Sequence, residues 1–172
     1  MSAGVPRCYA PSPAGALFAA AGFLAAASDP ALRRAAVQEL TVDDLGRAAA
    51  LRVLDSGDDS TPGPSAGGVE DEVGAEDEAA SSPVLSPVGF LVLPTSHTGV
   101  ATRITPGLPG PAPVEVRLAY AFVGDGTSGL VQFTLTMVWS EGDQRVLVSP
   151  DGVPFRTSPL PTLIGFVPWG DA

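Results

Sequence analysis

The second half of the chain contains two runs, at 114–122 and 131–139, in which apolar residues alternate with polar or small ones. Because successive side chains of a strand point to opposite faces, each run predicts a half-buried strand with one face toward a core. The glycine-rich stretch 124–129 between them predicts that they form an antiparallel hairpin. The apolar positions are Val114, Val116, Leu118, Tyr120 and Phe122 in the first run and Val131, Phe133, Leu135, Met137 and Trp139 in the second.

Weaker strand signals lie on both sides of this hairpin. Residues 88–93 are a short apolar run closed by Pro94, and 97–105 are a weaker candidate strand. A turn at 140–143 is followed by another candidate at 144–149. Consecutive strands with short connections predict a curved antiparallel meander of about four to five strands rather than a parallel sheet.

An alanine-rich helix is predicted near the start of the chain. Ser12 followed by Pro13 is typical of a helix N-terminus, and almost no polar residue interrupts the following apolar stretch before Ser28. A helix that is apolar all round is expected to be buried on nearly all sides. The alternative is that 14–27 form the apolar region of a signal peptide, because Arg7 precedes them and Ala25-Ala26-Ala27 offer a small-residue cleavage pattern.

Two further helices are predicted directly after the first. Asp29-Pro30 repeats the cap-then-proline pattern and begins a helix that reaches about residue 40. Thr41, with Asp44 three residues later, resembles a capping box for a third helix that ends at about Leu54. Helices followed by a meander predict an α+β fold in a single domain, 1–172.

The net charge of −10 belongs almost entirely to one segment. Residues 56–87 are rich in Gly, Pro, Ser and acidic side chains, and they contain too few large apolar groups to offset the entropy of ordering them. We therefore predict a disordered acidic loop within the domain. Nine acidic residues account for −9 of the charge, and no basic residue lies among them: Asp55, Asp58, Asp59, Glu70, Asp71, Glu72, Glu76, Asp77 and Glu78. The arginines are scattered, which argues against a nucleic-acid partner.

The residues that carry chemistry in other proteins are scarce here. Cys8 is the only cysteine and His97 the only histidine, which excludes a disulfide and metal sites built on several of either residue. The chain has no lysine and no phosphate-binding glycine motif. We therefore expect no catalytic residues, no cofactor and no bound metal. The remaining candidates line either the core or a small apolar pocket between the first helix and the sheet: Phe18, Leu24, Phe122, Phe133, Met137 and Trp139.

The segment from residue 150 onward is proline-rich but too apolar for a free tail. It is expected either to pack across the domain or to serve as a peptide-like docking segment. Its candidate docking residues are Phe155, Phe166 and Trp169. The longest apolar run of the chain, 14–27, is shorter than the roughly twenty residues that a bilayer requires, so we expect no membrane span in this sequence.

Three short stretches resemble proteins of actinobacterial conjugative and integrative elements. They are Val5-Pro6 with Pro13-Ala14-Gly15-Ala16, then Phe133-Thr134-Leu135-Thr136-Met137-Val138-Trp139-Ser140-Glu141-Gly142-Asp143, and Gly165-Phe166-Val167-Pro168-Trp169. The layout resembles the nuclear-transport-factor-like (cystatin-like) α+β domains that form the extracytoplasmic part of type IV secretion scaffold proteins. In that group a membrane anchor usually precedes the domain. The resemblance implies no catalytic residues.

These features predict a non-catalytic assembly or interaction domain, with a protein partner or self-association. The resemblance implies a conjugation or secretion-type envelope complex and an extracytoplasmic location; without it, a cytoplasmic location is expected. The alternative function is a small-ligand-binding or enzymatic member of the same fold, with a pocket between the first helix and the sheet.

Overall fold

The computed structural model describes residues 4–42, 44–56, 84–94, 112–124, 126–140 and 142–170. Three helices precede a curved, open antiparallel sheet, which makes the chain an α+β protein. The helices are α1 (Pro13–Ser28), α2 (Arg33–Leu40) and α3 (Leu45–Ser56). The strands are β1 (Val84–Pro94), β2 (Val114–Gly124), β3 (Thr127–Ser140), β4 (Asp143–Val146), β5 (Arg156–Pro159) and β6 (Val167–Pro168).

The hairpin of β2 and β3 is the centre of the sheet. Its pairing runs from Val114 opposite Met137 to Gly124 opposite Thr127, as the alternating runs predict. β1 lies on the far side of β2, and β6 adds two residues to the outer edge of β1. β4 and β5 pair with successive parts of the same edge of β3. The described sheet thus has six strands, because the C-terminal segment supplies two short strands in addition to the expected four to five.

α1 covers the inner face of this sheet. The Ser12 Oγ accepts a hydrogen bond from the Gly15 N–H at 3.1 Å, and Pro13 occupies the first helical position, so the predicted start of the helix is confirmed. Phe23 and Leu24 are buried against the sheet in the main core. The sheet contributes to the same core the buried side chains of Val116, Leu118, Val131, Phe133, Leu135, Met137 and Val146.

The extended segment 5–10 packs against another side of α1. A Cβ atom added to Gly15 would lie 2.0 Å from the Ala10 carbonyl oxygen, and one added to Gly22 would lie 2.6 Å from the Tyr9 hydroxyl. Gly15 and Gly22 are seven residues apart, so they share one face of the helix. The two glycines therefore leave the space in which the segment lies. α1 can be apolar on more than one side because the sheet covers one side and the segment 5–10 covers another.

The starts of α2 and α3 differ from the sequence prediction. Residues 29–32 form a turn in which Asp29 accepts from the Ala31 N–H, so α2 begins only at Arg33. The Thr41 hydroxyl donates to the Val37 carbonyl at the end of α2 rather than capping the next helix. Asp44 alone caps α3, through the Arg47 N–H at 3.1 Å. Thr41 is needed elsewhere, because its backbone bridges Val146 of β4.

The observed bounds of two strands also differ from the predicted ones, because they depend on which backbone groups form hydrogen bonds. β1 begins at Val84, because Val84 pairs with Val123. The predicted disordered loop 56–87 is therefore wrong for residues 84–87, which belong to β1. It is also wrong for Ser56, which is the last residue of α3. The remainder of that loop, and the candidate strand 97–105, lie outside the described residues. β4 is shorter than the predicted 144–149, since the chain turns away after Val146 toward α3.

We expect Gly15→Ala to destabilise the protein, although alanine ordinarily favours a helix. The new methyl group meets the backbone oxygen of Ala10, which cannot rotate away, and the cost is about 2 kcal/mol of unfolding free energy. Urea denaturation followed by circular dichroism measures the change.

Gly22→Ala is the matched control. Its methyl group approaches the movable Tyr9 hydroxyl to 2.6 Å and otherwise meets Pro6 and the Tyr9 ring at ordinary contact distances of 3.5 and 3.6 Å, while alanine gains about 1 kcal/mol of helix propensity, so the two effects offset one another. Equal losses in the two variants would contradict the close backbone packing of the segment 5–10.

Candidate interaction surface

The most buried carboxylate of the described residues is Asp143, at the start of β4, with 5% of its surface exposed. Its oxygens accept hydrogen bonds from the backbone N–H groups of Cys8 at 2.9 Å, Tyr9 at 2.7 Å and Gln144 at 2.9 Å. Cys8 has a φ of +71°, the left-handed conformation that turns consecutive N–H groups toward one anion. The carboxylate therefore fastens the segment 5–10 to the sheet.

Two neighbouring side chains complete this attachment. The Gln144 amide donates to the Ala10 carbonyl at 3.3 Å. The Arg7 guanidinium lies 2.7 Å from Glu39 of α2 and 3.8 Å from Asp143, so it joins the segment to both layers of the fold. Because backbone groups occupy the Asp143 oxygens, the arrangement serves attachment rather than proton transfer.

Most of the predicted inner-face residues lie in or against the core. Leu24, Phe133 and Met137 are buried there, and Phe122 is half-buried against it. Trp139 is half-buried beside Gln144 and lies outside the main cluster. The expectation for Phe18 is wrong, because 58% of its surface is exposed on the face of α1 that neither the sheet nor the segment 5–10 covers. A helix that is apolar all round gives no sequence signal of which side faces water.

The aromatic residues of the C-terminal segment anchor it instead of projecting from it. Phe155 contacts Phe133 edge-on with ring centroids 5.6 Å apart, and Trp169 contacts Phe90 in the same way at 5.6 Å. A Cβ atom on Gly89 would lie 3.2 Å from that of Phe166, so Phe166 fits where the strand has no side chain. Of the two alternatives that the sequence left open for this segment, the structure agrees with packing across the domain: Phe155 and Trp169 pack on side chains of the core, and Phe166 packs on the outer face of β1.

A bulge in β1 provides a hydrogen bond that holds the end of the C-terminal segment. The β1–β2 register shifts between Pro87 and Gly89, and the Val88 carbonyl accepts a hydrogen bond from the Trp169 N–H at 3.1 Å. At the other end, the Leu160 N–H donates to the Leu130 carbonyl at 3.0 Å. The chain between these points crosses from one edge of the sheet to the other, and it is held on both sides.

The middle of this crossing is a tight turn with an apolar tip. The Phe166 N–H donates to the Leu163 carbonyl at 3.0 Å, and Gly165 has a φ of +89°. That pattern is typical of a type II turn, which requires glycine at its third position. The second position, Ile164, is 89% exposed, and Leu163 and Val167 are also exposed. We name Leu163, Ile164 and Val167 the apolar tip.

A second exposed apolar group lies at the end of the β1–β2 ladder. Val84 and Val123 are cross-strand partners, 68% and 63% exposed. Phe122 packs against the core, so alternation places Val123 and its partner on the outer face. The crossing segment leaves β3 at Leu130, whose carbonyl accepts the hydrogen bond from Leu160. Leu130 is opposite Ala121 in the sheet, and Ala121 is two residues before Val123 on β2. Sequence reasoning missed both groups, since valines at a strand end and an isoleucine in a turn have no distinguishing pattern.

Metal and membrane features are not found in the described ranges. Those ranges contain no group of three or more His, Cys, Asp or Glu side chains placed to hold a metal ion. His97 lies outside them. The three helices described here each lack the combination of length and apolar character that a membrane crossing requires.

Comparison with known proteins gives one match. Residues 1–76 match a protein family described as a domain of unknown function (DUF8175). The matched region includes the segment 5–10 and all three helices, and it ends before the sheet begins. No curated protein and no solved structure matches the chain.

We expect Asp143→Ala to lower the unfolding free energy by about 3 kcal/mol, because it leaves the buried N–H group of Gln144 and the partly buried N–H groups of Cys8 and Tyr9 without their acceptor. Asp143→Asn keeps one acceptor oxygen and should cost about half as much. Asp151→Ala is the control: its carboxylate also accepts hydrogen bonds, from the Ser149 hydroxyl and the Val153 backbone, but it is exposed, so water can replace it and its loss should matter much less. Equal effects of Asp143→Ala and Asp151→Ala in urea denaturation would contradict the attachment role.

Both tyrosines should titrate above their ordinary pKa of 10. Burial raises the pKa of Tyr9, with the negative charge of Asp143 adding to the effect, and burial raises the pKa of Tyr120. In the unfolded chain both ionise near pH 10, so the folded state holds more protons above that pH. The stability contribution is fully present below about pH 10 and is lost as the pH rises through the higher folded pKa values.

Ultraviolet absorbance of tyrosinate measures this directly, since the chain has only two tyrosines. In the variant Tyr9→Phe, Tyr120 is the only tyrosine that contributes to the absorbance change. A native midpoint equal to that in concentrated urea would show that neither ring is shielded from water.

Proposed function

We propose that this chain is a non-catalytic assembly domain that acts by protein–protein contact. The observation that carries the proposal is the apolar tip. Ile164 is 89% exposed at the centre of a turn whose flanks are both hydrogen-bonded to the sheet. Contiguous exposed apolar side chains mark contact sites, whereas single ones are common on any surface; Leu163 is exposed next to Ile164, so the turn presents more than one such side chain.

The anchoring of the crossing segment favours binding. Ordering a flexible loop at an interface costs free energy that reduces affinity. Here the aromatic contacts of Phe155 and Trp169 hold the flanks in place before any partner arrives. The tip is therefore pre-organised, and a partner gains the burial of Ile164 without paying for the ordering of the segment.

The packing of the inner face supports this role over the small-ligand alternative. α1 lies directly on the sheet, and Phe133 and Met137 are buried among its side chains. A ligand between helix and sheet would have to displace these contacts. The order of elements, helices before an antiparallel sheet, and the three resembling stretches support a nuclear-transport-factor-like domain in a conjugation or secretion-type complex as the setting.

Affinity capture from the native host tests the proposal. The tagged chain is expressed in the cells of origin, cross-linked and purified beside an Ile164→Ser variant. We expect at least one protein, which includes the untagged chain itself, to be recovered with the wild type and reduced at least fivefold with Ile164→Ser.

Leu45→Ser serves as the matched control, because Leu45 is a large aliphatic residue of α3 with 77% of its surface exposed. It should leave recovery unchanged. If wild type, Ile164→Ser and Leu45→Ser recover the same proteins in the same amounts, the chain does not assemble through this surface and the proposal is wrong.

A further inference from the structure

We infer that two prolines of the C-terminal segment, Pro159 and Pro168, keep the edges of the sheet from pairing with strands of other copies of this chain. The prolines lie in short strands at the edges of the described sheet, where β5 pairs with β3 and β6 with β1. An edge strand presents unpaired backbone groups, which are a template for the strand of another molecule. The inference goes beyond the proposed contact through the apolar tip, since it concerns backbone pairing instead of side-chain contact.

The direction of the Pro168 backbone follows from its neighbour in the chain. The Trp169 N–H donates to the Val88 carbonyl at 3.1 Å, so it faces β1. In an extended strand the N–H and C=O groups of successive residues point to opposite edges. Pro168, which is opposite Gly89, therefore turns its backbone away from β1 toward the open side. Proline has no N–H to offer there, so a strand added at this position loses a hydrogen bond of its ladder.

The same alternation applies to Pro159 in β5. The Leu160 N–H donates to the Leu130 carbonyl at 3.0 Å, so it is directed toward β3. Pro159 precedes Leu160 and is opposite Val131, so its backbone is directed to the outer side. Both prolines are exposed. Each of the two strands thus presents, on its open side, a residue that cannot donate a hydrogen bond.

The other edges of the described sheet are covered or short. The Val42 N–H donates to the Val146 carbonyl, which covers the end of β4. Beyond the residues that pair with β6, β1 runs only from Leu91 to Leu93 before Pro94, another residue without an N–H. Proline on an edge and short edge strands are two ways in which proteins prevent pairing between sheets. The prolines of the C-terminal segment therefore have a physical role in the two strands that this segment adds.

Sedimentation velocity of the purified full chain, over a series of concentrations, tests the inference. In the double variant Pro159→Val/Pro168→Val both strands regain an outward N–H, and we expect the associated fraction to rise about fivefold over that of the wild type. The infrared band of intermolecular β-sheet should rise with it, because the new contact joins backbones. Each single variant should show part of this rise. Thermal unfolding verifies that the variants are folded.

Ser158→Val and Pro150→Val are the matched controls. Ser158 is opposite Gln132 and directs its backbone toward β3, so valine there adds β propensity without an outward N–H. Pro150 is an exposed proline in the turn before β5, so its replacement frees the unfolded chain to a similar extent without changing an edge. The associated fraction of both controls should stay within about twofold of the wild type, because neither gives an edge a new donor.

Three results would overturn the inference. In the first, the double variant associates no more than the wild type, so the shortness of β5, with four residues, and of β6, with two, is protection enough. In the second, Pro150→Val associates as much as the double variant, so the cause is lower stability. In the third, the rise disappears when every variant also carries Ile164→Ser, so the association belongs to the apolar tip and not to the edges of the sheet.

Discussion

The close fit of the segment 5–10 against α1 is the contact on which the rest of the structure depends. Gly15 and Gly22 allow the segment to approach the helix on one side, while Phe23 and Leu24 meet the sheet on another. A helix with so little polar surface has to be covered on more than one side, because its exposed apolar area would otherwise favour aggregation. Asp143 holds that cover in place through backbone N–H groups, and so connects the start of the chain to the sheet.

The same attachment also covers one edge of the sheet. β4 is covered by the bridge between Thr41 and Val146 and by the bonds to Asp143. Edge strands with unpaired backbone groups invite unwanted pairing, so this cover directs association away from that edge. The turn that carries Ile164 is held on both sides by hydrogen bonds of its flanks to the sheet.

Much of the core could be predicted from the sequence, and little of the interaction surface. The alternation in β2 and β3 identifies Phe133 and Met137 as buried because a period of two residues is a local property of the strand. The C-terminal segment has no such period. Its aromatics were the obvious docking candidates, yet Trp169 packs on Phe90 while the less conspicuous Ile164 is exposed. Which side chain faces water in an irregular segment depends on what lies beneath it.

The sequence by itself determined the class of the fold, the start of α1 at Ser12 and the pairing of the central hairpin, since caps, turns and alternation act between residues close in the chain. Only the tertiary structure decided that Thr41 ends one helix and joins β4 instead of starting the next. It also decided that Phe18 is exposed and Leu24 buried within one uniformly apolar helix. Both outcomes depend on contacts between residues far apart in the chain, and local patterns contain no information about such contacts.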